Sequence, residues 1–288
     1  MVKKYGDLFL WARKQLRQSE GEQAAVCARE LLCLASGKTA AELIADSQMY
    51  ASEQIELRLS SFVSRVLHGE PLAYVLGSWS FYGLPFQLTR DVLIPRDDTM
   101  AVTELAIEAA RQMDAPQRVL DLCTGSGCIG LAIAHTLETA RLTLTDVSPA
   151  AVRIAKNNAL SLHLGARVSV FEADVMQPPP AFFGLFDLIV SNPPYVTREQ
   201  MQSLEPSVRD YEPHLALDGG EDGLDFYRAV CDNYAASLRP GGKLAFEFGF
   251  GQQLFVSQIM AEAGFKELTF RKDWRGAIRA VIGEKDKN

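Results

Sequence analysis

Hydrophobic positions along residues 1–70 recur at the spacing of a helix face. The clearest run follows Ser52 and places six apolar side chains on one stripe: Ile55, Leu59, Phe62, Val63, Val66 and Leu67. Two hydroxyl residues, Ser19 and Thr39, each precede a glutamate by three positions, which is the spacing of a capping box at the start of a helix. We therefore predict a small all-helical domain of about four helices over residues 1–70.

The pattern changes after residue 70. Residues 71–96 are rich in aromatic and β-branched side chains and are interrupted at Gly77 and at 83–85, which predicts a linking β-hairpin. From residue 97 onward short apolar runs alternate with helical stretches, and five of them are predicted strands: Arg118–Leu122, Leu142–Thr145, Arg167–Val170, Asp187–Ser191 and Lys243–Phe248. Residues 97–288 are therefore predicted to form an α/β domain, a parallel sheet with helices on both faces.

Composition excludes several classes of protein. The chain of 288 residues is 48% hydrophobic and 23% charged, as expected of a globular protein. It contains no apolar run long enough for a membrane span, and its first residues lack the layout of a secretory signal, so we expect a cytoplasmic protein without membrane contact. Residues 1–70 carry nine bases and nine acids, so the net charge of −7 lies in the rest of the chain. Stable binding to nucleic acid is not expected from this charge balance.

Metal binding is not expected either. The five cysteines are odd in number and form no C-x-x-C motif, and the four histidines are scattered.

A glycine-rich loop follows the first strand of the α/β domain. Gly125, Gly127 and Gly130 are spaced as G-x-G-x-x-G, a pattern that lets the backbone approach a nucleotide-like cofactor closely. The next strand ends in Asp146, 19 residues past Gly127, where a carboxylate can accept hydrogen bonds from ribose hydroxyls. Ser148 should cap the helix that follows. The loop alone does not distinguish a nicotinamide dinucleotide from another nucleoside cofactor.

A second motif, Asn192-Pro193-Pro194-Tyr195, follows a buried strand. Because a residue before proline is held extended, this loop is stiff. The Asn192 side-chain oxygen and the Pro193 carbonyl can then serve together as two acceptors. Two acceptors suit a planar –NH₂ group, and Tyr195 offers an aromatic face for its plane. Such a site would catalyse by orienting a weakly nucleophilic amide nitrogen toward an electrophile.

Together these residues resemble class I methyltransferases that use S-adenosylmethionine. They are most similar to the HemK-type family, the peptide chain release factor N5-glutamine methyltransferases. The resemblance extends over nearly the whole chain and rests on these stretches: Gly69–Tyr74, Leu93–Arg96, Asp121–Gly127, Asp146–Pro149, Asn192–Tyr195, Glu247–Gly249 and Asp273–Gly276. It implies a Rossmann-like seven-stranded methyltransferase sheet whose last strand is antiparallel. It also implies that the helical domain docks the substrate.

By the same resemblance, Cys123, Thr124, Gly125, Ser126 and Gly127 would line the methionine part of the cofactor. Asp146 would hold the ribose, and Asp174 with Val175 would flank the adenine. Residues 192–195 would hold the target glutamine, and Asn192 would also contact the cofactor. The implied product is S-adenosylhomocysteine, with no metal, and the implied partner of a monomeric enzyme is a release factor carrying Gly-Gly-Gln. Three positions depart from the family pattern: Cys123 replaces a glycine, Val175 an aromatic residue and Met100 a glutamate.

Other functions share these motifs. The substrate could be a glutamine of a ribosomal protein, or the exocyclic amine of adenine in nucleic acid, which is also a planar –NH₂. A non-catalytic binding module or a dehydrogenase would leave the second motif unexplained. The acidic stretch 198–225 is expected to be either solvated surface or a negative rim that attracts a basic protein.

Overall fold

The computed structural model describes residues 3–114 and 117–286. The chain divides into two compact units, one of residues 1–78 with 206–211 and the other of residues 79–205 with 212–288. The proposed domain boundaries at 70/71 and 96/97 stay a prediction.

The first unit is built from helices, as predicted. It contains α1 (Tyr5–Glu20), α2 (Ala24–Ser36), α3 (Ala40–Ala45), α4 (Glu53–Leu67) and α5 (Leu72–Leu76). Their apolar faces form one core that includes Leu8, Leu16, Leu31, Leu59 and Val63.

Two of the three predicted helix starts are confirmed. Thr39 caps α3 with a complete capping box, and the Ser52 hydroxyl accepts the first-turn N–H of Ile55 in α4. The prediction at Ser19 is wrong, because α1 continues through this residue. The Ser19 hydroxyl instead donates to the Leu16 carbonyl at 3.2 Å.

The predicted hairpin is present but shorter than expected. Strands β1 (Ser78–Phe81) and β2 (Leu84–Gln87) form a two-stranded sheet. The apolar residues before them form α5, whose C-terminus is closed by Gly77 in the left-handed conformation. The hairpin prediction for 72–76 was therefore wrong, since a short apolar run does not by itself distinguish a strand from a helix.

The alternating part of the chain belongs to the second unit, apart from α10, which belongs to the first. Its helices and strands follow in this order: α6 (Met100–Arg111), β3 (Arg118–Leu122), α7 (Cys128–Thr136), β4 (Arg141–Asp146), α8 (Pro149–Ser161), β5 (Val168–Glu172), β6 (Phe186–Ser191), α9 (Arg198–Met201), α10 (Pro206–Arg209), α11 (Asp225–Tyr234), β7 (Leu238–Glu247), α12 (Gln253–Glu262), β8 (Phe265–Lys272) and β9 (Ile278–Lys285). Ser148 caps α8 as predicted, with Pro149 in its first turn.

Seven strands form one sheet in the order β5-β4-β3-β6-β7-β9-β8. The pairs from β5 to β7 are parallel, and β9, the last strand of the chain, runs antiparallel to both of its neighbours. The predicted fold is confirmed. The central strands are apolar and buried on both faces, as parallel strands covered by helices must be.

The strand register brings four loops to one edge of the sheet. Leu122 pairs with Thr145 on one side and with Ser191 on the other, and Ser191 pairs with Phe246. The loops that follow β3, β4, β6 and β7 therefore leave the sheet side by side. The strand order reverses at β3, and ligands bind at such a switch point in open α/β sheets.

Candidate active site

The loop after β3 makes a tight turn with an unusual residue at its start. Cys123 has a φ of 56°, a left-handed conformation that a side chain makes costly. Gly125 and Gly127 also have positive φ, and Gly127 begins α7. The loop is tied to the neighbouring strand because the Thr124 N–H donates to the Thr145 carbonyl at 2.9 Å.

Asp121, one residue before the end of β3, stabilises this loop by hydrogen bonds. Its Oδ2 accepts from the Thr124 hydroxyl at 2.5 Å and from the Gly130 N–H at 3.0 Å. Its Oδ1 has no hydrogen-bond partner among the described residues. Burial raises the pKa of this carboxyl from 3.8 to about 7, although both hydrogen bonds oppose the rise. Asp121 stood in a stretch that carried the resemblance but was assigned no role from the sequence, and its place at the end of a buried strand was the available signal.

Asp146 lies across the loop at the end of β4. One carboxylate oxygen accepts from the Gly125 N–H at 2.9 Å and the other from the Ser148 N–H, also at 2.9 Å. Burial raises its pKa, and these backbone hydrogen bonds oppose the rise. Each carboxylate oxygen retains a lone pair for a further donor.

Asn158 in α8 connects the glycine loop to the hairpin. Its side-chain nitrogen donates to the Ser126 carbonyl at 2.8 Å and to the Gln87 carbonyl at 3.2 Å, and its oxygen accepts from the Gln87 N–H. This buried residue was missed in the sequence because an asparagine inside a helix has no distinctive pattern.

A cavity of about 420 Å³ opens between these loops. Its walls come from six parts of the chain and one further side chain: Arg90–Leu93, Cys123 with Gly125, Asp146–Ser148 with Ala151, Ala173–Met176, Asn192 with Pro194, Pro213 with Leu215–Ala216, and Phe226. Its volume lies in the range of roughly 300–1,000 Å³ found for small-molecule sites.

The cavity brings together seven of the predicted site residues, namely Cys123, Gly125, Asp146, Asp174, Val175, Asn192 and Pro194. Thr124, Ser126 and Gly127 do not line the cavity but belong to the loop that does. Pro193 and Tyr195 also lie outside the lining. The segment 90–93 was not predicted to line a cavity, although its last residue, Leu93, begins the stretch Leu93–Arg96 that carried the resemblance.

Asn192 is hydrogen-bonded to Thr99. Its Nδ2 donates to the Thr99 hydroxyl oxygen at 3.3 Å. Within the described chain no group donates to its Oδ1, which leaves this oxygen as a free acceptor at the cavity. The Pro193 carbonyl likewise accepts no backbone hydrogen bond from residues 3–114 or 117–286.

Tyr195 is anchored on the side of the loop away from the cavity. The Gln252 side chain donates to its carbonyl at 3.0 Å, and Gly219 passes so close that an added Cβ would lie 2.7 Å from the Tyr195 Cα. Only glycine fits at position 219. Burial raises the pKa of the Tyr195 hydroxyl above its usual range.

A buried carboxyl group lies behind this loop. Glu247 ends β7, and burial raises its pKa from 4.5 to about 7. The Thr99 hydroxyl, Arg279 and the Tyr195 hydroxyl lower that pKa, although its Oε2 has no hydrogen-bond partner among the described residues. Arg279 itself donates to Asp98 at 2.8 Å. Glu247 was part of the resemblance, but the sequence assigned it no role.

One acid of the stretch 198–225 is neither solvated nor part of a rim. Glu212 is buried, pairs with the Arg96 guanidinium and accepts from the Ile94 N–H. Glu212 thus joins the residues that follow Leu93 to those that precede Ala216, and both Leu93 and Ala216 line the cavity. The expectation of an exposed acid was wrong here because a paired carboxylate can be buried.

Two kinds of feature are absent from the described residues. They contain no group of three or more His, Cys, Asp or Glu side chains arranged to hold a metal ion. They also contain no helix with the length and apolarity of a membrane span.

The sheet order, the glycine loop at its switch point and the cavity define a class I methyltransferase. A family model described as the methyltransferase small domain matches residues 101–219. A solved methyltransferase from Pyrococcus furiosus shares the fold, with 18% identity, a TM-score of 0.53 and coverage of 79% of this chain and 99% of that one.

Relatives define the family more narrowly. A family model described as the PrmC N-terminal domain matches residues 7–77. The release factor glutamine methyltransferase of Bradyrhizobium diazoefficiens is 39% identical over 94% of this chain and 91% of the relative. The protein of that name from Geobacter sulfurreducens is 39% identical over 95% and 94%. The chain belongs to the release factor glutamine methyltransferase family.

Class I methyltransferases use S-adenosylmethionine, and the cavity fits this group. Asp146 has free lone pairs for ribose hydroxyls, and Asp174 adds a second carboxylate to the wall, which suits a cofactor that carries positive charge. A Cβ added at Gly125 would meet nothing within 4 Å, so the backbone here is open to a ligand.

Proposed function

We propose that the protein transfers a methyl group from S-adenosylmethionine to the side-chain amide nitrogen of the glutamine in the Gly-Gly-Gln motif of peptide chain release factors. The observation that carries the proposal is the free Asn192 Oδ1 at the wall of the cavity, in a chain of this family. The product would be S-adenosylhomocysteine, and no metal would take part.

The glycine loop, Asp146 and residues 174–175 would hold the cofactor. Cys123 and Gly125 would contact its methionine part, while Thr124, Ser126 and Gly127 set the conformation of the loop. Asp146 would accept from the ribose hydroxyls, and Asp174 with Val175 would flank the adenine, next to Phe226 in the same wall. When bound, the cofactor supplies an electrophilic methyl group on a sulfonium ion.

The Asn-Pro-Pro-Tyr loop would hold the glutamine. The Asn192 Oδ1 and the Pro193 carbonyl accept the two hydrogens of the substrate –NH₂, which directs the nitrogen lone pair toward the cofactor. These carbonyl dipoles also stabilise the positive charge that grows on the nitrogen as it gains the methyl group. A proton then leaves the nitrogen for solvent, so the transfer needs no general base beforehand.

The rest of the chain would serve the partner. The helical N-terminal region would dock the release factor, consistent with the match of residues 7–77 to the PrmC N-terminal domain. We expect a monomer that acts in the cytoplasm, where translation takes place, and that binds neither membranes nor nucleic acid stably.

Two other substrates contain the same planar –NH₂. They are a glutamine of a ribosomal protein and the exocyclic amine of adenine in nucleic acid. The net charge of −7 disfavours the latter, because a flipped base needs a surface that binds phosphates around the pocket.

The test offers labelled S-adenosylmethionine with four acceptors: a release factor carrying Gly-Gly-Gln, its Gln→Ala variant, ribosomal proteins, and total DNA and RNA. We expect label only on the wild-type release factor, and mass spectrometry should locate the added methyl on the motif glutamine. Label on another acceptor instead would refute the proposed substrate. The Asn192→Ala enzyme serves as the control for contaminating activity.

A further inference from the structure

We propose that Phe226 supplies the aromatic surface on which the adenine of the cofactor packs, and that this contact sets much of the affinity for the cofactor. The inference rests on the proposed function, because it takes the position of S-adenosylmethionine from the residues assigned there. Phe226 lies outside both sequence motifs, in the first turn of α11.

The adenine end of the cavity is located by the proposed ribose-binding residue, Asp146. This residue ends β4, and the Ala173 N–H donates to its carbonyl oxygen at 3.0 Å. The segment Ala173–Met176 therefore lies directly beside Asp146 in the cavity wall. On its other side Asp146 contacts Gly125 of the loop assigned to the methionine part. A cofactor whose ribose binds Asp146 thus has its base next to the segment 173–176.

Helix α11 presents Phe226 to this segment. The side chain of Asn233, also in α11, donates to the Val175 carbonyl at 3.0 Å. Phe226 and Asn233 are seven residues apart, which places them on the same face of the helix, about 10 Å apart along its axis. The face that contacts Val175 is therefore the one that carries Phe226 into the cavity wall.

The cavity offers no other aromatic surface for the base. Phe226 is the one aromatic residue that lines it within the described chain. The apolar residues nearby in the wall are aliphatic, among them Val175, Met176 and Leu215. Val175 stands where the family pattern has an aromatic residue, so in this chain an aromatic contact with the base has to come from α11. Stacking on an aromatic ring is a strong and general way to bind a base.

The burial of Phe226 differs from that of its neighbours in α11. Tyr227 and Val230 are fully buried in the core, whereas Phe226 packs against that core and is only partly buried. The rest of its apolar surface lies at the cavity, where water covers it in the free protein. Removing such a surface from water is favourable, so a base that covers the ring gains affinity from the hydrophobic effect as well as from stacking.

The first experiment measures the dissociation constant of S-adenosylhomocysteine by calorimetry for wild type, Phe226→Leu and Phe226→Tyr. Leucine keeps an apolar side chain at this position and removes the ring, so we expect the dissociation constant to rise about 5- to 50-fold. Phe226→Tyr keeps the ring and should stay within about threefold of wild type. The unfolding temperature shows that each variant is folded.

Phe255→Leu is the matched control. Phe255 is an exposed phenylalanine of α12, in the same unit of the chain and outside the cavity lining. Its substitution removes the same ring and should leave the dissociation constant unchanged. Wild-type affinity in Phe226→Leu, an equal loss in Phe255→Leu, or a loss in Phe226→Tyr as large as that in Phe226→Leu would each overturn the inference.

A second measurement detects the contact itself in the wild-type protein. With protons kept only on the phenylalanine side chains, the H2 and H8 protons of bound adenine should give nuclear Overhauser effects to the ring protons of one phenylalanine. These signals should be absent from Phe226→Leu and present in Phe255→Leu. Adenine protons that contact no phenylalanine ring, or signals that persist in Phe226→Leu, would show that the base binds elsewhere.

Neither measurement needs the release factor, so the two proposals can fail separately. A wild-type enzyme that binds S-adenosylhomocysteine through Phe226 but does not modify the release factor refutes the proposed substrate alone. An enzyme that methylates the release factor, with unchanged cofactor affinity in Phe226→Leu, refutes the assignment of Phe226 alone.

Discussion

Two buried carboxyl groups at the carboxyl edge of the sheet make the stability of the protein depend on pH. Burial raises the pKa of Asp121 from 3.8 to about 7 and that of Glu247 from 4.5 to about 7. Each has one oxygen without a hydrogen-bond partner among the described residues, so neither carboxylate is fully compensated when it ionises.

The sign follows from where the protons are. Below about pH 4 both groups are protonated in the folded and the unfolded chain, so they impose no penalty. Between about pH 4 and 7 the unfolded chain has released the protons that the folded chain still holds, and the free energy of unfolding falls as the pH rises. Above about pH 7 both states are ionised and the penalty stays constant.

The magnitude is large for a single side chain. One pKa unit corresponds to about 1.36 kcal/mol. Between pH 5 and 7 each group therefore removes about 2 kcal/mol of stability, and little more is lost from pH 7 to 8. This is an upper estimate, yet it is a sizeable part of the roughly 5–15 kcal/mol that stabilises a typical domain.

Urea unfolding at a series of pH values from 5 to 8 measures the effect. Asp121→Asn and Glu247→Gln remove the ionisable group, so each variant should lose about 2.5 kcal/mol less than wild type over this range. Glu138→Gln, a substitution of an exposed carboxyl group, is the control and should follow wild type. Curves for Asp121→Asn and Glu247→Gln that run parallel to that of wild type would show that the folded protein does not hold these protons.

Three further predictions concern the loops of the site. Asn192→Ala should lower kcat/KM for methyl transfer about 10²- to 10³-fold and change the calorimetric affinity for S-adenosylmethionine little; normal transfer would contradict the assigned acceptor. Cys123→Gly should be more stable to urea than Cys123→Ala by about 1 kcal/mol, since only glycine relieves the positive φ of 56°, and equal stabilities would exclude strain there. Asn158→Ala should cost about 2–3 kcal/mol, because the buried partner groups on Gln87 and Ser126 lose their hydrogen bonds, whereas Asn157→Ala on the exposed side of the same helix should cost little in thermal unfolding.

The fold was predictable because its main signals are local. Buried parallel strands are continuous apolar runs, and the glycine loop and the Asn-Pro-Pro-Tyr loop fall where such runs end. Sequence patterns whose outcome depends on tertiary packing were less reliable. Ser19 satisfies the capping-box spacing yet lies inside α1, and residues 72–76 have strand-forming side chains yet form α5.

The lining of the cavity was predicted in part for the same reason. Asp146 ends β4 and Asn192 directly follows β6, so their position at the carboxyl edge follows from the topology. The segment 90–93 and Phe226 enter the wall from elements that precede and follow those strands at long range. No local pattern marks such residues, because what brings them to the cavity is the packing of the whole unit.

The residues that lie around Asn192 are the most distant from prediction. Thr99, Asn192 and Glu247 lie in three separate parts of the chain, and they meet only because β6 and β7 are neighbours in the sheet and α6 begins beside their ends. A threonine before a helix is read from sequence as a cap, yet Thr99 makes no capping hydrogen bond with its side chain. Its hydroxyl instead accepts a hydrogen bond from the Asn192 side chain. A buried hydroxyl that makes no local hydrogen bond bonds to a residue distant in sequence. Here that residue is Asn192, whose amide is proposed to receive the substrate.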